Sequence, residues 1–232
     1  MAHPNDELVL YSWNKNARGW INAIKNEEIE SRKIITNSAI LDAITTYSPD
    51  SILDIGCGEG WLTRELTKLD INTTGVDGVP TLIENAQSQG YGKFLFASYE
   101  DIVAGGKINN NYFDAAVCNF SLLGKGSVEK LVDFIPNLLT KNGLFFIQTL
   151  HPVISSTELP YENGWREESW HNFNSQFQET APWYFRTLET WIKLLISSGF
   201  SIIECIEPIH PITQKPASII FVVRYANNSY SY

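Results

Sequence analysis

Long apolar runs are missing from this chain of 232 residues: none approaches the roughly 18 residues that cross a bilayer. The opening Met1-Ala2-His3-Pro4-Asn5-Asp6-Glu7 has neither the basic n-region nor the apolar h-region of a secretory signal. A cytoplasmic protein without a membrane partner is therefore expected. Basic residues are also scarce, 17 Lys and Arg against 26 Asp and Glu, for a net charge of −9. Proteins that grip phosphate backbones carry a basic face, so nucleic acid is not expected as substrate or partner. The three cysteines, Cys57, Cys118 and Cys205, are an odd number spread over strand-like segments, which fits reduced core thiols. Four scattered histidines and no Cys-x-x-Cys or His-x-x-x-His pair give no zinc signature, and no metal is expected. There is no internal repeat. What the chain has in quantity is core material, 44% hydrophobic and 12% aromatic, enough for one domain with decorations.

The most informative run is Ile52 to Gly60, I-L-D-I-G-C-G-E-G. An apolar stretch carrying Asp54 is followed by glycines at 56, 58 and 60, and then by an amphipathic segment, Trp61 to Leu69. This reads as strand, tight turn and helix start. Glycines at that spacing let the backbone turn sharply and approach a ligand, while the first amides of the helix favour electron-rich atoms. A dinucleotide fingerprint, G-x-G-x-x-G, needs a glycine where Trp61 stands. Asp54 and Glu59 add negative charge where a pyrophosphate needs the opposite, so the turn suits a cation.

Asp54-x-Gly56-x-Gly58 closing a first strand resembles motif I of the class I S-adenosylmethionine-dependent methyltransferases. That cofactor carries an ammonium, a sulfonium and a ribose but no phosphate. Further signals follow in order. Asn72 to Asp77 is a second strand ending in an acid, and the resemblance assigns Asp77 to the ribose hydroxyls, beside Gly78. Lys93 to Ser98 is a third strand, and Ser98-Tyr99-Glu100-Asp101 falls where the family's adenine-contacting loop lies, with Ser98 standing where an acid is frequent. Phe113 to Asn119 is the fourth strand, followed by Phe120-Ser121-Leu122-Leu123. A helix with Ser127 as N-cap runs to about Lys141, and Gly143 to Leu150 is the fifth strand.

The resemblance implies an α/β fold, a doubly wound, seven-stranded, mostly parallel sheet of order 3-2-1-4-5-7-6 with strand 7 antiparallel and an N-terminal helical lid. Residues 1–232 are read as a single domain: N-terminal helices over 1–48, a cofactor-binding core over 51–150, an aromatic insertion over 151–186, and a last helix with strands six and seven over 187–232. Thr187 is the N-cap of that helix and Gly199 its stop. The expected cofactor contacts are Arg32, Asp54, Gly56, Cys57, Gly58, Asp77, Gly78, Ser98, Tyr99, Asn119 and Phe120.

Several readings stay open. Helical spacing in Trp13, Ala17, Trp20, Ile21 and Ile24, and again in Ile34, Asn37, Ile40, Leu41 and Ile44, gives two helices that pack on the sheet, cross the cofactor cleft as a lid, or both. Arg32 either meets the cofactor's carboxylate or is a solvated surface arginine.

The acceptor chemistry is read from the strand ends. Asn119-Phe120-Ser121-Leu122 lacks the Pro-Pro of enzymes that methylate base amino groups, and Cys118 follows Val117, without the proline of the cytosine C5 nucleophile. Asn119 also replaces the aspartate that holds magnesium in catechol-type enzymes. His151-Pro152, after the fifth strand, offers a general base for an oxygen or nitrogen acceptor, or else a histidine bonded to backbone. His171 and His210 are weaker candidates. The insertion holds eight large aromatics; Trp165, Trp170 and Tyr184 are the expected walls of a small-molecule acceptor pocket, against plain packing of a loop on the sheet. Two other functions compete. One is a nicotinamide-dependent oxidoreductase, with a Tyr11-x-x-x-Lys15 pair on the wrong side of the turn; the other is a non-catalytic S-adenosylmethionine-binding protein.

Overall fold

The computed structural model describes residues 4–106, 108, 112–156, 159–168, 177 and 180–225. Four parallel strands follow the expected bounds closely: β1 Ser51–Ile55, β2 Asn72–Asp77, β3 Lys93–Phe96 and β4 Phe113–Asn119. β5, Leu139–Thr149, lies parallel to β4, and β9, Ile219–Tyr225, runs antiparallel between β5 and β8, Phe200–Ile206. The sheet order is β3-β2-β1-β4-β5-β9-β8. This is the expected 3-2-1-4-5-7-6, because β6, Gly164–Glu168, and β7, Ala181–Phe185, form a separate two-stranded sheet.

Successive side chains of a strand point to opposite faces, and the core divides accordingly. Leu53 and Ile55, Ala116 and Cys118, Phe145 and Ile147, Phe221 and Val223 face one side, under helices α5 (Tyr99–Val103), α6 (Gly126–Phe134) and α7 (Leu188–Ser197). Ile52, Ala115, Val117, Leu144, Phe146, Ile220 and Val222 face the other, under α2 (Asn37–Tyr47) and α3 (Trp61–Lys68). Burial on both faces is what a parallel sheet requires.

The two N-terminal helices have different jobs. α2 packs on the sheet through Ile40 and Ile44. α1, Pro4–Lys25, instead buries Ala17 against Val79 and Leu82 of the β2–α4 junction, α4 being Pro80–Ser88, and crosses the carboxyl ends of the strands to reach β7. Between them the chain turns at Glu27 (φ 54°) and makes one π-helical turn, Arg32–Thr36.

Three expectations are corrected. The helix after β4 starts before Ser127 and ends at Phe134, because Pro136 has no amide to continue the ladder and opens a 3-10 turn, Ile135–Leu138. Its first amides are capped from α1: Asp6 Oδ1 accepts Lys125 N–H at 2.7 Å and the Ser127 hydroxyl at 2.9 Å, and Oδ2 accepts Gly126 N–H at 3.0 Å. Lys141 therefore lies in β5. The aromatic insertion is not plain loop either, since Trp165 pairs with Tyr184 and Arg166 with Trp183 across the β6–β7 hairpin. Trp170 and His171 lie outside the described residues.

Candidate active site

Every parallel strand ends at one cavity of about 690 Å3. Its floor is the turn after β1 (Gly56 to Glu59), the ends of β2 (Asp77, Gly78) and β4 (Asn119 to Gly124), and Ser98 to Glu100 at the start of α5; α1 forms the facing wall, and Trp183, Tyr184 and Phe185 close one end. The position, outside the strand ends where β1 and β4 diverge, is the topological switch point of an open α/β sheet.

The turn is built from backbone that only glycine accepts easily. Gly56, Gly58 and Gly60 have φ of 73°, 59° and 86°. A Cβ on Gly56 would collide with Ser121, whose hydroxyl donates to Ile55 C=O at 2.8 Å. On Gly58 it would meet nothing nearer than Trp20 Nε1 at 3.8 Å, so the turn faces open space there. Asp77 holds the turn from the next strand: Oδ2 accepts Gly58 N–H at 2.9 Å and Oδ1 accepts Val79 N–H at 2.8 Å. Tyr99 reaches across the floor and donates its hydroxyl to Ser121 C=O at 2.9 Å.

Acids dominate this end. Burial pushes the Asp77 carboxyl up to about 6 and that of Asp54, which accepts the Thr63 hydroxyl at 2.7 Å, up to about 7. Burial also raises the Glu59 carboxyl, against the opposing pull of Arg64, whose guanidinium binds Glu59 Oε2 at 3.0 Å. Glu59 Oε1, Asn119 Oδ1 and Thr36 Oγ1 are buried without a hydrogen-bond partner among the described residues, and all three residues line the cavity. An unpaired buried polar atom is costly, so in residues that border a cavity these oxygens suit partners brought by a ligand. Three acids and these oxygens fit a cationic, hydroxyl-bearing ligand and not a pyrophosphate.

A model of the methyltransferase domain family matches residues 29–205. The chain belongs to the S-adenosylmethionine-dependent methyltransferases.

Among relatives of this methyltransferase is a ubiquinone biosynthesis O-methyltransferase of Rickettsia canadensis, 26% identical over 167 residues, 67% of this chain and 69% of that protein. An uncharacterized methyltransferase of Schizosaccharomyces pombe is 24% identical over 70% of this chain and 64% of its own. Two further relatives are matched over 46% and 81% of their length. In fold, the methyltransferase is similar to an S-adenosylmethionine-dependent methyltransferase from Clostridium acetobutylicum, with a TM-score of 0.65 at 18% identity over 92% of this chain and 99% of that one. The glycopeptide N-methyltransferase MtfA bound to S-adenosyl-L-homocysteine gives 0.63 at 13% identity over 80% and 87%.

Most cofactor residues expected from sequence meet at the cavity: Arg32, Gly56, Cys57, Gly58, Asp77, Gly78, Ser98, Tyr99, Asn119 and Phe120 all line it. Ser98 also opens α5, its hydroxyl accepting Asp101 N–H at 3.1 Å in a capping box. Arg32 is not a solvated surface side chain; it lies over the Trp20 and Trp61 rings at 5.8 and 5.1 Å, and burial lowers it to about 10. Asp54 is buried behind the wall and braces the turn through Thr63.

The acceptor residues part company. Tyr184 lines the cavity, its ring flanked by Lys125 Nζ at 5.4 Å and the Arg186 guanidinium at 4.9 Å. Trp165 does not; it backs Tyr184 edge-on at 5.4 Å and lines a separate groove beside α1. His151 is not among the residues that line the cavity; it is buried, with Nε2 bound to Glu207 Oε1 at 2.6 Å across the ends of β5 and β8. Thr36 and Glu59 were not singled out as contacts; the π-helical turn that brings Thr36 to the wall has no local signature, whereas Glu59 sits inside the glycine motif.

Proposed function

We propose that the chain transfers the S-adenosylmethionine methyl group to an oxygen or nitrogen of a small molecule. One observation carries this reading: a single cavity runs from the acid-lined glycine turn to the aromatic end at Trp183, Tyr184 and Phe185. Its volume lies within the usual range for small-molecule and cofactor sites. The bound cofactor supplies an electrophilic methyl group on a sulfonium. The chain's own residues hold and orient. Each Asp77 oxygen keeps a free lone pair for a ribose hydroxyl after accepting its backbone amide. Glu59 would hold the ammonium, Arg32 and Thr36 the carboxylate, and the Ser98–Tyr99 wall the adenine. Tyr184 with its aromatic neighbours takes the acceptor and excludes water, so that residues 151–186 form the acceptor side of one domain built on the 51–150 core. Free Cys57, Cys118 and Cys205, and the acidic charge, support a cytoplasmic enzyme without a nucleic-acid substrate. No helix among the described residues is long and apolar enough to cross a membrane.

The test is to incubate the protein with methyl-labelled S-adenosylmethionine and a metabolite extract and to identify the labelled product by mass. Label in a small molecule supports the reading; saturable cofactor binding with no transfer over a broad acceptor panel would make this a binding protein instead.

A further inference from the structure

We infer that Asp6 latches α1 over the cavity and so controls the escape of bound cofactor product, an inference that rests on the methyltransferase reading above. α1 lines the cavity from Asp6 at one end to Trp20 at the other, about 21 Å of helix at 1.5 Å per residue. Its carboxyl end is anchored where the chain turns at Glu27, with Glu28 N–H donating to Ala23 C=O at 2.9 Å. At its amino end one side chain makes three bonds across the cavity mouth. The Asp6 carboxylate is buried, and its three bonds all reach the start of α6: Lys125 N–H, Gly126 N–H and the Ser127 hydroxyl.

The receiving loop is shaped for that carboxylate. A Cβ on Gly124 would collide with both Asp6 Oδ1 and Ser127 Oγ. Arg186 braces the loop from behind, donating from Nη1 to Gly124 C=O at 2.8 Å and from Nη2 to Lys125 C=O at 2.9 Å. A second, neutral pin lies six residues on, where the Ser12 hydroxyl donates to Thr180 C=O at 3.0 Å. With three bonds against one, Asp6 is the larger of these two polar attachments. Because Asp6 and the 122–124 loop both border the cavity, breaking this contact opens the wall at its acceptor end while leaving the glycine turn and Asp77 untouched.

The experiment measures S-adenosylhomocysteine dissociation from the immobilised full chain by surface plasmon resonance, with circular dichroism and a melting midpoint for each variant. Asp6→Asn replaces one acceptor oxygen by an NH2 group facing backbone donors, and Gly124→Ala pushes on the carboxylate from the other side. Each should speed dissociation about tenfold, the loss of one charge-assisted bond, and the double variant should go no further. A lowered midpoint with unchanged dissociation would make Asp6 a mere structural cap and overturn the latch, as would effects that multiply in the double variant. Should Asp6→Asn not fold, Ser127→Ala removes a single contact and is expected to raise the rate about two- to threefold; no change there overturns the proposal. Absence of binding to the unaltered chain would remove the methyltransferase reading and the latch with it, whereas binding with unaltered rates in the variants would remove the latch alone.

Discussion

The carboxylate of Asp77, at the end of β2, accepts the amide of Gly58, in the turn after β1, at 2.9 Å. The same side chain thus shapes the glycine turn and borders the cavity that the turn lines. Asp77→Ala is expected to weaken S-adenosylhomocysteine binding by about 1.5–3 kcal/mol, the range for bonds to a charged group, and Asp77→Asn by less. Isothermal titration of folded variants measures this; wild-type affinity in the alanine variant would move ribose recognition elsewhere.

Stability should fall in the ligand-free protein as pH rises toward neutrality from the acid side. Asp54 and Asp77 titrate in the native state at about 7 and about 6, above the ordinary carboxylate value of 3.8, so between about 4 and 7 the folded chain holds more protons than the unfolded one. With more protons bound to the native state, the unfolding free energy decreases with pH across that window. The melting midpoint should therefore rise on going from pH 8 to pH 5.5, and Asp54→Asn should flatten the slope. A slope of the opposite sign, or one unaltered in Asp54→Asn, would contradict the burial argument.

Gly56 tolerates no side chain. At φ 73° a non-glycine residue is strained by about 1–3 kcal/mol, and the added Cβ must also displace Ser121, which holds β1 at Ile55. Gly56→Ala is expected to lose cofactor binding outright and to lower the melting midpoint, both read in a single ligand-titrated thermal scan.

His151→Ala should lower stability by about 1 kcal/mol through loss of the Glu207 bond, whose carboxylate is half exposed, and leave turnover within a few-fold of wild type. Tyr184→Ala should instead raise the Michaelis constant of the acceptor, as lost uniform binding does. A hundredfold loss of turnover in His151→Ala, the contribution of a positioned base, would return the imidazole to the chemistry.

The strands and the glycine turn were legible because their signals are local: apolar runs of strand length, an acid at the second strand's end, and glycines where φ must be positive. Thr187, too, is the N-cap that its sequence context announces, its hydroxyl accepting Thr190 N–H at 3.2 Å. What local reading missed depends on partners distant in sequence. Asp6 caps α6 from 119 to 121 residues away, which displaced Ser127 from the capping role. His151 stands at the strand end the sequence indicates, but Glu207, 56 residues on, decides which way the ring faces. The β6–β7 hairpin was hidden because its pairing runs through Trp165, Arg166, Trp183 and Tyr184, with aromatic and charged side chains on both faces, so no alternation of apolar and polar marks it.

Five of the seven tryptophans, Trp13, Trp20, Trp61, Trp183 and Trp191, border the cavity. They stand at both its ends, Trp20 and Trp61 stacked with Arg32 on the cofactor side and Trp183 among the hairpin aromatics. The protein therefore carries its own optical reporter: emission excited in the indole band should change when either half of the cavity fills. A chemical library can then be screened for acceptors in plates, unlabelled and without knowing the reaction product in advance.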